Sequence, residues 1–478
     1  MLGTQLAELL DGAPAGVEQA LGVVSGFDGA LAHGFARVGE DRAMALTELA
    51  GAVAATPIGA RVAEAVATVI AGAVADEQLV ALAGARTALL GAVHDALLGR
   101  LDAVLGRDRL PWPQWSAPGT PPTDAVSPAA GCRSWLSELA ITGWRGVDHD
   151  LVAAGSHPIE AALGLPELRR MAVLLDGLAA ELRACCPIAT MPAVPVRRWA
   201  DLWARAVLLA HDAPADVGAT AAADMDATAA ERVSGRLLIL GVDVHEHPTA
   251  VQAQVHGVLE PDGGGPVRLV RTSVAAAKVD TVVGPALWQL LTACPTLLGA
   301  LAGHRAVEVV DLPLRGSDLV WRDDQARAGE PADPFVTARV LLAGAVATGA
   351  PPLDRHPVGI AEPVLLEGYT VRVADGAVTF DLDGRTLTVD VDRLPACGPL
   401  TPELVAASAA CLGLVRWDAG RWSVQPLAVQ ATVKRAVVGV HTGDWAQGAR
   451  DPKVVKAQAK TGDAVAVLRE RAGRLLRR

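Results

Sequence analysis

The spacing between apolar residues changes about halfway along the chain, and this change limits the folds that the sequence can adopt. Before residue 212, apolar residues recur every three or four positions, as in Leu46, Leu49 and Val53. After residue 231 this spacing is lost, and 236–243, 251–259 and 267–274 have the pattern of strands, with alternation clearest in 251–259. Because a helix repeats every 3.6 residues and a strand every two, the sequence predicts a multidomain protein. Its N-terminal half is expected to be all-α, and its C-terminal half α+β with antiparallel β meanders.

A proline-rich stretch gives the clearest domain boundary. Five prolines lie between Arg109 and Ser127, and a segment of this composition forms an extended spacer rather than a helix or a central strand. A second break, 212–230, is rich in Ala, Asp and Thr. The predicted division is a helical bundle (1–107), a Pro-rich linker (108–131), a helical domain (132–212) and an α+β region (231–478) with a basic helical tail from about residue 451.

Local signals place several elements inside the α+β region. Asp333-Pro334 and Thr401-Pro402 each combine an N-cap residue with proline at the first helical position. They predict helices reaching about Val346 and about Leu412. Turn residues at 374–376, 383–384 and 417–422 predict β-hairpins.

Apolar stretches and cysteines bear on the cellular compartment. The longest apolar run of the N-terminal part, 65–75, is far shorter than the roughly 20 residues that a bilayer requires. The N-terminus carries no basic leader followed by an apolar run. The six cysteines have no metal-binding or disulfide spacing. We therefore expect a cytoplasmic protein without a membrane segment.

The charge is distributed unevenly along the chain. From Gln430 to the end there are 11 Lys and Arg against 4 Asp and Glu, whereas the whole chain carries a net charge of −11. The candidate interaction residues in this tail are Lys453, Lys456, Lys460, Arg469, Arg471 and Arg474. Three interpretations remain open: a solvated helix face, a surface that docks an acidic protein surface, and a nucleic-acid contact. Nucleic acid is the least favoured, because the tail has a single aromatic residue, Trp445.

A small histidine cluster is the one candidate metal site. His245 and His247 lie two residues apart on a predicted strand, so they share a face, and His256 on the next strand is a possible third ligand. The alternative is that these are surface or strand-end histidines, since Pro248 follows directly.

Catalytic signatures are missing from the sequence. There is no P-loop, no dinucleotide-binding glycine motif after a strand, no H-E-x-x-H and no G-x-S-x-G elbow. The sequence predicts no cofactor and favours a non-enzymatic protein.

Six segments together carry a resemblance to a known group of proteins. They are 144–151 (WRGVDHDL), 198–205 (RWADLWAR), 241–247 (GVDVHEH), 454–457 (VVKA), 461–465 (TGDAV) and 468–473 (LRERAG). From about residue 130 onwards this pattern resembles actinobacterial accessory proteins encoded beside a MoxR-type AAA ATPase, a SWIM zinc-finger protein and a von Willebrand factor A protein. The chain lacks the SWIM cysteine–histidine array and the D-x-S-x-S adhesion motif. The resemblance therefore implies the accessory member of such a set, with those three classes as protein partners, and transfers no site residue.

The function expected from the sequence is that of a non-enzymatic accessory or scaffold subunit of a cytoplasmic ATPase–adaptor assembly. Two alternatives are kept: a metal-dependent enzyme built on the three histidines, and a nucleic-acid-binding protein that uses its basic tail.

Overall fold

The computed structural model describes residues 3–112, 126–165, 168–211, 231–247, 249–279, 281–433 and 435–461. The helices in these ranges are α1 (Gly3–Leu10), α2 (Val17–His33), α3 (Glu40–Val53), α4 (Gly59–Ile70), α5 (Asp76–Leu105), α6 (Val126–Thr142), α7 (His149–Ala154), α8 (Ser156–Leu163), α9 (Arg169–Cys185), α10 (Val196–His211), α11 (Pro295–Gly303), α12 (Pro334–Leu341), α13 (Pro402–Ala406) and α14 (Pro452–Thr461). The strands are β1 (Arg109–Leu110), β2 (Glu231–His247), β3 (Ala250–Pro261), β4 (Arg268–Ala277), β5 (Arg305–Arg315), β6 (Asp318–Leu319), β7 (Ala326–Pro331), β8 (Ala347–Thr348), β9 (Ala361–Glu367), β10 (Thr370–Ala374), β11 (Ala377–Leu382), β12 (Arg385–Val389), β13 (Ser408–Asp418), β14 (Arg421–Val433) and β15 (Ala436–His441).

Helices α2 to α10 share one hydrophobic core. Leu46 and Leu49 of α3, Leu136 of α6 and Trp199 and Trp203 of α10 all belong to the same buried cluster. The apolar stripes predicted for α3 and α4 are buried, as the helical spacing requires. The helices that precede the proline-rich stretch and those that follow it therefore pack directly on each other.

The first sheet closes on itself. Strand β2 pairs with β3, β3 with β4, β4 with β6, β6 with β5, and β5 again with β2, while β7 pairs with the opposite edge of β5. The inside of this ring is apolar and contains Val242, Val255 and Val307. The segment 284–291 and α11 add Trp288 and Leu297 to the same cluster.

The second sheet has seven strands in the order β10-β11-β12-β14-β13-β9, with β15 paired to β14. The turns predicted at 374–376, 383–384 and 417–422 each join two antiparallel strands, and Trp417 lies opposite Trp422 in the last hairpin. Helix α12 packs between the two sheets, where Phe335 forms one buried apolar cluster with Leu240 and Leu412.

The predicted fold class is confirmed at the coarse level, with helices in the N-terminal half and sheets in the C-terminal half. The antiparallel prediction is right only in part. Strands β2–β3–β4 and β10–β11–β12 are antiparallel meanders, but β4 with β6 and β12 with β14 are parallel pairs. Both sheets therefore have mixed strand directions.

The helical and β regions meet along the second half of α5. Leu97, Leu98 and Leu101 lie in one cluster with Val364 and Phe380 of the second sheet. A parallel pair of β1 and β8 also joins the two regions, with Arg109 opposite Ala347. The predicted boundaries at 107, 131 and 212 stay predictions, and residues 113–125 and 212–230 lie outside the described part.

Two predicted helices are shorter than expected. Helix α12 ends at Leu341 rather than near Val346, because Val346 exchanges backbone hydrogen bonds with residues 267 and 269 of the first sheet. Helix α13 ends at Ala406 rather than near Leu412, because residues 408–418 form β13. In both cases long-range strand pairing determines where the helix ends.

Across the residues that the structure describes, no helix has the length and apolar character needed to cross a bilayer.

Candidate functional site

The structure does not bring the three predicted metal ligands together. His245 contacts Asp243, with Nε2 3.0 Å from Oδ2, while Nδ1 of His247 lies 3.0 Å from the Thr249 hydroxyl. His256 is on the neighbouring strand as expected, but it lies opposite Gly241. Gly241 is four residues from His245, or about 13 Å along a strand. Within the described residues no group of three or more His, Cys, Asp or Glu side chains could hold a metal ion, so this arrangement gives the metal prediction no support.

His245 instead contacts, from an exposed position, a buried polar network between the two sheets. Asp243 accepts hydrogen bonds from Arg416 and from Gln425, both at 2.7 Å. Burial opposes ionisation of Asp243, but His245 and Arg416 outweigh it and hold the pKa of this carboxyl at about 2. The network joins β2 to β13 and β14 and is therefore an internal electrostatic contact between the sheets.

A polar cleft lies where the helical region, β1, the first sheet and β9 meet. It is partly open to solvent. The charged and imidazole side chains around it are His94, Arg109, His256, Arg271, Asp318 and Glu362. Strand register explains part of this set: His256 lies opposite Arg271 across β3 and β4, and Arg271 lies beside Asp318 of β6. The cleft is thus built from several parts of the chain that are far apart in sequence.

His256 is the most unusual group in the cleft. Only 3% of the residue is exposed, and its Nε2 has no hydrogen-bond partner among the described residues. Burial, reinforced by the nearby Arg271, lowers the pKa of His256 to about 3. The ring is therefore neutral at physiological pH, and a buried polar atom without a partner costs about 1–3 kcal/mol.

Glu362 is a largely buried carboxylate, with 17% of its side chain exposed, and is held by two arginines. Its Oε2 lies 2.8 Å from Nη1 of Arg107 and 3.1 Å from Nη2 of Arg109. Although burial favours the neutral acid, Arg109 and Arg107 keep the pKa of Glu362 below its usual value. Arg109 also donates two hydrogen bonds to Asp102, at 2.6 and 2.8 Å. The four side chains form a charge-balanced group on one wall of the cleft.

A second balanced pair also lines the cleft. Arg271 donates to both carboxylate oxygens of Asp318 through Nε and Nη2. His94 faces the cleft from α5, and its Nδ1 lies 2.9 Å from Asp95. Burial lowers the pKa of His94, although Asp95 opposes this shift. With Nδ1 donating to Asp95, the Nε2 of a neutral His94 is an acceptor.

Sequence reasoning found one member of this site, His256, but assigned it to a different cluster. Arg107 and Glu362 are 255 residues apart and carry no local motif. The sequence contains one signal, Arg107 and Arg109 at the start of the proline-rich stretch. An extended linker gives no reason to expect that these arginines are buried.

The basic tail is only partly described. Lys453 and Lys456 are exposed on α14. The Lys460 side chain, together with Arg469, Arg471 and Arg474, lies outside the described residues.

The six cysteines are free thiols. Burial raises the pKa of Cys132 to about 11 and that of Cys397 to about 12. It also raises the pKa of Cys186, where the neighbouring Asp148 adds to the effect. These thiols remain protonated at neutral pH and are poor nucleophiles.

Comparison with family models, with curated proteins and with solved structures gave no match.

Proposed function

We propose that this protein is a non-enzymatic accessory, or scaffold, subunit of a cytoplasmic ATPase–adaptor assembly. Its partners would be drawn from a MoxR-type AAA ATPase, a SWIM zinc-finger protein and a von Willebrand factor A protein. The proposal combines the resemblance of residues 130 onwards with one structural observation, the way in which ion pairs join the helical and β regions.

That observation is a series of ion pairs across the junction. Arg107 pairs with Glu362, Arg355 with Asp95 at 3.2 Å, and Asp354 accepts from two arginines of the helical region. Those two are Arg170, at 3.1 Å, and Arg205, at 2.8 Å. Several pairs in one network hold geometry better than isolated surface pairs do. A junction fixed in this way supports a scaffold role, because a scaffold presents its surfaces in a constant arrangement.

The docking surface that we propose is the basic face of α14. Lys453 and Lys456 are exposed, and the exposed Val455 between them adds apolar area. Charge of this kind favours an acidic protein surface and raises the association rate at low salt.

Native affinity purification of the tagged full chain from its source organism, at low and at moderate salt, tests the proposal. Mass spectrometry should recover an ATPase, a zinc-finger protein or a von Willebrand-type protein in stoichiometric amount. The double variant Lys453→Glu/Lys456→Glu should lose that partner, because two attractive contacts become repulsive.

The matched control is Arg37→Glu/Arg61→Glu, which makes the same change in charge at two exposed positions of the helical region. It should retain the partner. Recovery of the protein alone at both salt concentrations would reject the accessory role. Equal loss in both double variants would reject α14 as the docking surface.

A further inference from the structure

Strand β15 is an edge of the second sheet, and its outer side is open. It pairs with β14, and the N–H of Thr442, directly after it, donates to the C=O of Leu427 at 2.9 Å. Because bonded and non-bonded pairs alternate along an antiparallel ladder, Val437 and Gly439 direct their N–H and C=O groups away from β14. Both residues are exposed, and these outward groups have no hydrogen-bond partner among the described residues. They are therefore available to a further strand.

The composition of β15 sets it apart from the other edges of this sheet. A free edge usually contains a charged residue or a proline, which hinders pairing with another chain. Edge strand β9 contains Glu367, and edge strand β10 contains Arg372. Residues 436–440 include no charge and no proline, and Val437 and Val438 are 71% and 41% exposed. Of these three edges, β15 is the one on which pairing is least hindered.

A second copy of the same strand fits this edge in an antiparallel register. With the two Val438 residues facing each other, Val437 of each copy lies opposite Gly439 of the other. Both members of such a pair direct their backbone groups outward, so each pair exchanges two hydrogen bonds. The two Val438 residues then form a non-bonded pair, in which side chains pack closely. The strand is thus complementary to itself.

Charge favours a second copy over an unrelated strand. In this register the exposed Arg435 lies opposite His441 of the second copy. The N–H of His441 donates to Oδ2 of Asp444 at 3.0 Å, so a carboxylate lies beside this position. Oδ1 of Asp444 contacts His304, but a carboxylate has about four acceptor sites, so capacity remains. Each end of the strand pair therefore brings a guanidinium to a carboxylate.

We propose that two copies of this chain associate through β15, in an antiparallel pairing about a two-fold axis at Val438. The second sheets of the two copies then form one continuous sheet. Because the same edge is used on both copies, the assembly closes at two chains. One strand pair buries less area than an obligate dimer interface does, so the dimer should dissociate on dilution. This inference is independent of the accessory role, since it needs no other protein and uses no residue of α14.

Sedimentation velocity of the full chain at increasing concentration tests the proposal. The mass should rise from that of one chain to that of two and then stay constant. Hydrogen exchange at low and at high concentration locates the contact. The N–H groups of Val437 and Gly439 should exchange more slowly in the dimer, because they become hydrogen-bonded there.

A proline substitution separates the dimer contact from folding. Val437→Pro removes the outward N–H and leaves the bonds to β14 intact, since an edge strand tolerates proline in this orientation. It should weaken association at least about tenfold, because each copy loses one hydrogen bond, and it should keep the Tm of the parent. The matched control is Val373→Pro on β10. It changes a valine that is 60% exposed and whose N–H also points away from the neighbouring strand, and it should dimerise as the parent does.

A charge reversal tests the ends of the strand pair. Arg435→Glu should also weaken association, because an attractive contact with Asp444 becomes repulsive at both ends. Arg421→Glu, at an exposed position on β14, should not. The proposal is overturned if the chain stays monomeric at every concentration, if it pairs only with a strand of a different protein, if assemblies larger than two chains form, or if Val437→Pro and Arg435→Glu both associate as the parent does.

Discussion

The charged side chains buried between the two sheets are stabilised by one or two polar partners each. Arg416 and Asp243 are both nearly inaccessible, with side-chain exposures of 8% and 3%. Arg416 also donates to Gln425 at 2.6 Å, which orients the amide towards Asp243. Each group makes the burial of the other tolerable, so the loss of either leaves an uncompensated charge between the sheets.

Replacing Arg416 by Met should therefore lower the free energy of unfolding by about 3 kcal/mol, at the lower end for a broken buried pair because Gln425 and His245 still contact Asp243. Urea unfolding measures the change. Arg421→Met, at an exposed position on β14, should change stability by less than about 0.5 kcal/mol. A cost below about 1 kcal/mol for Arg416→Met would show that Asp243 does not need Arg416 to compensate its buried charge.

At the scale of elements, the sequence predicted where structure begins better than where it ends. The N-caps Asp333 and Thr401 and the hairpin turns are local signals, and the structure confirms each of them. The ends of α12 and α13 depend on strand pairing with distant segments, which no local window contains. The cleft was beyond prediction for the same reason, since Glu362 and Arg107 become neighbours only in the folded chain.

The cap of α12 gives a test at this scale. Asp333 accepts hydrogen bonds from the backbone N–H groups of Phe335, at 2.7 Å, and Val336, at 3.1 Å. Asp333→Ala should cost about 1 kcal/mol in the free energy of unfolding, whereas Asp333→Ser should cost clearly less, because serine also caps. Chemical denaturation compares the two. Equal costs would show that the cap bonds do not account for the effect.

On the scale of the whole molecule, three neutral histidines lie in different regions, two of them buried (His256 and His441) and one half-buried (His356). Burial lowers the pKa of His256 to about 3, and those of His356 and His441 to about 4. An unfolded histidine titrates near 6.5, so below that pH the unfolded chain binds protons that the folded chain excludes. The free energy of unfolding is therefore at its full value above about pH 6.5. It decreases as the pH falls from there towards the folded pKa values.

We expect the free energy of unfolding to fall by about 1.4 kcal/mol per pH unit for each of these histidines between about pH 6 and pH 4.5. His441→Leu should reduce that slope by about one histidine's share. Its ring contacts His304, which also lowers the pKa of His441, whereas Asp444 and Asp333 oppose the shift. Urea titrations at several pH values measure the slope. The exposed His149→Leu is the control, and an equal slope in the parent and His441→Leu would contradict the assignment.

The packing of α5 against the second sheet also matters during synthesis. Leu97, Leu98 and Leu101 leave the ribosome early, but strands β9 to β15, which cover them, lie between residues 361 and 441. At a translation rate of about 5–20 residues per second, these strands are synthesised on the order of tens of seconds after α5. The nascent chain therefore exposes these apolar side chains during most of its translation. Its yield in a cell should depend on how well holdase chaperones shield them.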